Sequence, residues 1–189
     1  MTLRTLLSSL ALAATVLAPS AFAQQKLVPA QSSVGFTVKQ MGVPLKGQFK
    51  QFDAQVQFDT ARPEASTILF TVATGSATMG SRETDAELPK PTWFNVASFP
   101  QARFESTTVK ALGGGKYQVD GQLSIKGQSR SVSVPVTLTQ NGATTIAAGT
   151  LPIKRLAFKI GEGDWTDTSM VADDVQVAFK LVLTGVAKI

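Results

Sequence analysis

The sequence predicts an all-β protein, an eight-stranded antiparallel barrel with a short helical cap segment around residues 82–99. Three observations carry that prediction. Residues 116–141 alternate with period two: Tyr117, Val119, Gly121, Leu123 and Ile125 fall on one side, and Lys116, Gln118, Asp120, Gln122, Ser124 and Lys126 on the other. This is the pattern of a strand with one apolar and one wet face. Segments of the same kind recur at fairly even spacing, separated by turns that contain Gly, Pro, Asn and Asp. No long amphipathic helix interrupts them. An isolated hairpin is marginal in water, so the apolar faces must close over further strands, and closure into a barrel also removes exposed edges. A filled sandwich is the alternative that the pattern leaves open.

Residues 1–23 stand apart from that pattern. A short positive start, an apolar run over 6–17 and Ala21-Phe22-Ala23 before Gln24 have the form of a secretory signal peptide. The run is shorter than the roughly 18 apolar residues of a membrane span. The expected domain is therefore 24–189, exported, with the bacterial periplasm as the expected compartment.

Within that domain, residues 33–40 alternate through Val34, Phe36 and Val38, and Gly42-Val43-Pro44 ends the first strand. Residues 45–59 carry Phe52, Ala54, Val56 and Phe58 in one phase, and the slip between Phe49 and Phe52, near Gly47, marks a bulge or bend. A turn with Pro63 leads to 67–78, where Ile68, Phe70 and Val72 are in phase. Residues 80–100 break the strand pattern. One helical turn over 84–88 is stopped by Pro89 and Pro91, and Asn95 caps a second short turn through Phe99. This segment is expected across one end of the barrel. The remaining strands are 103–112, the two halves of 116–141 on either side of Lys126-Gly127-Gln128-Ser129, 144–160 with a bend at Pro152, and 174–187.

Composition narrows the chemistry. The 189 residues include no cysteine and no histidine, and the net charge is +5. An exported domain without disulfides must rely on its core, and the commonest general base and metal ligand is absent. The basic residues are scattered, which describes a solvated surface rather than a nucleic-acid patch. No phosphate-binding loop or zinc spacing is present. The loop carboxylates Asp85, Glu87, Glu162, Asp164, Asp167, Asp173 and Asp174 read as turn formers, with a paired acid/base role or a calcium loop over 161–174 as weaker alternatives. The expectation is a protein with no catalytic residues, metal or cofactor. Eleven phenylalanines against one tyrosine point inward instead. Small residues (Gly35, Ala54, Gly121, Ala178) alternate with large ones along the strands, and Trp93 and Phe94 sit in the cap. Together they predict a cavity lined by apolar side chains.

Several runs resemble one family. Ser33-Val34-Gly35-Phe36 opens the pattern. Arg82-Glu83-x-Asp85-x-Glu87-Leu88 follows, then Trp93-Phe94-Asn95-Val96-x-x-Phe99-Pro100 with Phe104-x-Ser106. Asp120-Gly121-Gln122-Leu123-Ser124-Ile125-Lys126-Gly127 runs into Val132, and Arg155-x-x-Phe158-x-Ile160-Gly161-x-Gly163-x-Trp165 completes it. In this order, behind a leader, they resemble the YceI family of exported, polyisoprenoid-binding proteins. The resemblance implies a lipocalin-like barrel holding a long polyisoprenoid, a prenyl phosphate or a ubiquinone-type tail, with the cap segment beside the cavity mouth. Glu87 and Gln40 stand where many relatives carry histidine, so contacts from those histidines do not transfer. The run from Glu162 to Trp165 is similar to a subgroup associated with membrane b-type cytochromes, which tilts the ligand towards an isoprenoid quinone.

The function implied is a non-catalytic, lipid-binding carrier in the periplasm, engaged in transport or storage of a polyisoprenoid. The candidate lining residues are Phe36, Val38, Phe70, Phe94, Leu123, Ile125, Val134, Phe158, Val177 and Phe179. Arg82, Asp85, Arg155 and Trp165 are candidates for the mouth or head group. An ion pair between Arg82 and Asp85 that pins the cap, and a Trp165 that plugs the barrel, are the structural alternatives. A filled-barrel accessory module that docks a membrane b-type cytochrome is the alternative function.

Overall fold

The structure, a computed structural model, describes residues 25–188. The expected signal peptide lies outside them. Eleven strands form one antiparallel sheet: β1 (Lys26–Leu27), β2 (Ser33–Gln40), β3 (Val43–Phe49), β4 (Phe52–Gln57), β5 (Thr67–Ala73), β6 (Ala77–Thr78), β7 (Gln101–Gly113), β8 (Lys116–Ile125), β9 (Gln128–Asn141), β10 (Thr144–Lys154) and β11 (Val171–Thr184). One short helix, α1 (Arg82–Glu87), precedes the turns that end at Pro100.

The ladder runs β4-β5-β7-β8-β9-β10-β11-β2-β3-β6, with β1 added to β11. Its two end strands, β4 and β6, are the continuations of β3 and β5. The predicted slip after Gly47 is a bend at Lys50-Gln51 that divides one long strand into β3, paired with β2, and β4, paired with β5. Ser76 holds the bend from the neighbouring strand, its carbonyl accepting from the Lys50 N–H and its Oγ from the Gln51 N–H. That neighbour is itself broken, into β5 and β6, by a 3₁₀ turn at Thr74–Ser76. Counting each broken strand once and setting aside the two-residue β1 leaves the expected eight, curled until the sheet's ends meet. The outer edge of β4 has no ladder partner in the sheet order. There the Gln25 side-chain amide takes the place of a strand, donating to the Phe58 carbonyl at 2.7 Å and accepting from its N–H at 2.8 Å.

The 116–141 hairpin has the predicted turn. Lys126 and Gly127 take positive φ values of 47° and 72°, as a two-residue loop matching strand twist requires. The register then runs without interruption from Ile125↔Gln128 to Lys116↔Thr137. Several expected strands differ from observation at their ends, with Val43 and Pro44, expected in a break, already part of β3. The strand expected over 144–160 stops at Lys154, and Arg155–Phe158 form a 3₁₀ turn instead. The last strand begins earlier than expected, at Val171.

Apolar side chains cluster at two levels of the barrel. One cluster lies under the cap: Ala77, Leu88, Phe94, Ile125, Phe158 and Ile160. The other joins Phe58, Val109, Tyr117, Val119 and Val134. Three inward phenylalanines lie flat over glycines of the next strand. A Cβ on Gly47 would fall 2.2 Å from the Phe36 ring, one on Gly121 2.6 Å from Phe104, and one on Gly149 2.6 Å from Phe179. Rings that lean against the wall do not fill the centre.

Candidate functional site

The space left inside is a cavity of about 710 Å³, within the range of roughly 300–1,000 Å³ that holds a small molecule. The barrel is therefore not filled, which removes the filled-core form of the alternative reading. Phe36, Val38, Phe70, Leu123, Ile125 and Val134 line the cavity from the strands, as do Val177 and Phe179, while Phe94 lines it from the cap. Phe36, Phe70 and Phe179 are only half-buried although they point inward, because they border open space rather than packed neighbours. Phe158 is not among the lining residues. It is 2 % exposed within the cluster under the cap, because the 3₁₀ turn takes it off the strand phase on which it was assigned.

The mouth candidates separate. Arg82 is exposed on α1 and lies outside the lining. Asp85 does not line the cavity or pair with Arg82. Its carboxylate accepts from Thr78 Oγ1–H at 2.5 Å and from the Met79 N–H at 2.6 Å, tying α1 to β6. These hydrogen bonds, Thr78 first, hold its pKa below the usual carboxylate value. Trp165 does line the cavity, packed against Trp93 with ring centroids 5.3 Å apart and the planes tilted by 51°.

Arg155 borders the cavity, but its charge is not offered to it. The side chain is 1 % exposed. Its Nε donates to Ala172 O, Nη1 to Ile160 O and Gly161 O, and Nη2 to Trp165 O and Val171 O, at 2.6–3.1 Å. A guanidinium has five N–H donors, and each has a backbone acceptor. Burial pulls its pKa down, and the nearby Asp173 opposes that shift.

Lys126 is the residue that the alternation hid, since period two placed it on the wet face. Its left-handed turn position instead sends it inward, 6 % exposed. Nζ donates to Pro91 O at 2.6 Å, Lys159 O at 2.6 Å and Glu162 Oε2 at 2.8 Å. The Lys126 hydrogen bond is also the main cause that lowers the Glu162 pKa. The Gly161 and Glu162 N–H groups donate to Thr92 O, which ties the same loop to the cap. The motif runs over 82–100, 120–127 and 155–165 are thus joined at one end of the barrel. Gln40, Glu83, Thr84 and Glu87 line the cavity there. Among the described residues, the buried Trp93 Nε1–H has no hydrogen-bond partner, and Trp93 also lines the cavity.

The description "YceI-like domain" matches residues 25–183, essentially the whole barrel. The chain belongs to the YceI family. Within it, the chain is 45 % identical to BcnA of Burkholderia cenocepacia, whose crystal structure superposes with a TM-score of 0.80 over 82 % of this chain and 98 % of that one. A Campylobacter jejuni YceI protein gives a TM-score of 0.66 at 21 % identity over 73 % of this chain and 83 % of that one. A polyisoprenoid binding domain from Saccharophagus degradans gives 0.68 at 15 % identity over 85 % and 98 %. Both share the fold. UPF0312 proteins of Yersinia pestis are 37 % identical over 110 residues, 58 % of this chain and 57 % of theirs. The match thus spans little more than half the length of those relatives.

Proposed function

We propose that this YceI protein is an exported, non-catalytic binding protein that holds a polyisoprenoid lipid inside its barrel. The observation that carries the reading is the 710 Å³ cavity, lined by inward aliphatic and phenyl side chains from the strands around the barrel. Burying apolar ligand surface yields about 0.8 kcal/mol per CH2. A bilayer offers the tail the same gain, so a carrier must add shape and polar contacts at one end. The structure has that asymmetry, with Gln40, Glu83 and Glu87 at the cap end. The related fold of the polyisoprenoid binding domain from Saccharophagus degradans supports the choice of lipid class. The absence of histidine and cysteine supports a role without chemistry. Docking of the loaded protein on a membrane b-type cytochrome is the partner reading suggested by the Glu162–Trp165 motif.

Organic extraction and mass spectrometry of protein purified from the periplasm without detergent tests this reading. A stoichiometric isoprenoid lipid is expected. Leu123→Arg, which puts a charge on the cavity wall, should lower loading at least several-fold while secretion continues. A wild-type protein that is empty and also refuses added prenyl lipids would refute the proposal.

A further inference from the structure

We infer that the hairpin tip between β2 and β3, at the rim of the cavity, is a membrane-contact site that inserts shallowly into an anionic phospholipid bilayer. Its use to a carrier rests on the lipid-binding reading, but the contact belongs to the outer surface and is tested apart from the cavity.

Apolar side chains left in water mark the place. Among the described residues, the exposed large apolar side chains are Met41, Val43, Leu112 and Met170. Three of the four meet at one spot, since Met41 and Val43 belong to the β2–β3 turn and its exit, and the Met41 N–H donates to Met170 O at 2.9 Å. Single apolar residues on a surface are ordinary, whereas a group of them marks an interaction site. Met41 and Gly42 take φ values of 47° and 81°, the two-residue loop whose first position favours Asn, Asp or Gly. An exposed methionine holds that position against its conformational preference, with little packing to offset the strain.

The tip also continues the cavity wall. β2 and β3 pair from Val34↔Phe49 to Gln40↔Val43, and Val38, Gln40, Leu45 and Phe49 line the cavity. Val43 has the same phase as Leu45 and Phe49, so the apolar stripe runs past the rim to the tip.

Charge decides what the tip meets. Residues 33–50 contain Lys39, Lys46 and Lys50 and no acid. Lys50 lies near Asp85. Lys39 and Lys46 are exposed on the outer face of the hairpin, across the ladder from Pro44 and Thr37, and make no ion pair among the described residues. They stand two and three residues from Met41 and Val43, roughly 7–10 Å along a strand. That spacing leaves their ammonium groups at the head groups when the apolar side chains enter by about 5–10 Å. The neighbouring charges are close to balanced: α1 carries Arg82 against Glu83, Lys90 pairs with Glu87, and Lys154 with Asp174. Lys39 and Lys46 therefore set the sign at the tip. Apolar insertion combined with lysines is what holds a protein on an anionic bilayer. Three side chains fall well short of the roughly 800 Å² per partner of a stable protein interface.

The test exploits the lack of cysteine in the chain. Met41→Cys, or Leu112→Cys near the far end of β7, carries a single NBD fluorophore in the mature protein. On phosphatidylglycerol–phosphatidylcholine vesicles the label at position 41 should shift to the blue, and the label at position 112 should emit as in water. In vesicle co-sedimentation, Met41→Asn with Val43→Ser should weaken binding at least about tenfold, from the apolar surface removed. Lys39→Gln with Lys46→Gln should weaken it about twentyfold, at about fivefold per lysine, and added salt or phosphatidylcholine alone should have the same direction of effect. Asparagine suits the backbone at position 41, so the first variant should melt no lower than wild type by more than a few degrees, which separates a lost contact from a lost fold. A label at position 41 that ignores the vesicles, or a tip variant that binds them like wild type, overturns the inference. A dimer in analytical ultracentrifugation that the tip variant dissociates also overturns it, because a second copy then covers the tip. In each of these cases a lipid recovered by extraction leaves the cavity reading standing.

Discussion

At the scale of the residue, the two buried cations act as fasteners. Arg155 joins the 3₁₀ turn after β10, the Gly161–Trp165 loop and the start of β11 through carbonyls alone. Arg155→Met keeps much of the volume and strands those acceptors. Because a buried unsatisfied polar group costs about 1–3 kcal/mol, the variant should lose on the order of 3 kcal/mol or more. Its midpoint in a thermal melt should fall by about 10 °C. Arg155→Lys, with three donors, should recover only part of that loss. The motif made Arg155 conspicuous in the sequence, but its role was not legible there, because the acceptors are main-chain atoms and carry no sequence signal. Lys126 was hidden for a different reason. Alternation assigns a face only while the backbone stays extended, and Lys126 sits at a turn with φ 47°.

At the scale of the element, the phase of the strands could be read wherever the ladder is regular. Phe36, Val38, Val177 and Phe179 lie on β2 and β11, which pair in step from Val175↔Val38 to Lys180↔Ser33, and all four line the cavity. Phe158 was misassigned because hydrophobic spacing does not show that a strand has given way to a 3₁₀ turn. The glycines opposite phenylalanines were visible as small residues, but what they accommodate was not. Gly47 illustrates this, for the nearest atoms to an added Cβ belong to the Phe36 ring. Gly47→Ala should push that ring into the cavity. Lipid uptake by the purified protein should fall markedly, at a stability loss of about 1–3 kcal/mol. Uptake equal to wild type would show that the ring position does not set the bore.

At the scale of the whole molecule, closure and pH response follow from the same economy of polar groups. Asp59, Asp85, Asp120, Glu162 and Asp167 all have pKa values lowered in the folded state, chiefly by hydrogen bonds. The unfolded values are about 4. The folded state therefore binds fewer protons in acid, and the stability these groups contribute is present above about pH 5 and lost as pH falls through 4 and below. With no histidine in the chain, the melting temperature should stay nearly level from about pH 5 to 8 and drop below about pH 4. A step near pH 6.5 in circular dichroism melts would contradict this.

The Gln25 clasp gives the barrel unequal mechanics around its circumference. Between β10 and β11 the wall is a zipper, paired from Thr144↔Thr184 to Lys154↔Asp174, and parting it means breaking a row of bonds that reinforce one another. At the outer edge of β4 the closure at Phe58 is made by a single side chain with two hydrogen bonds. Rotation about the χ angles of one glutamine releases them without disturbing any ladder. The wall of this container therefore has a place to give.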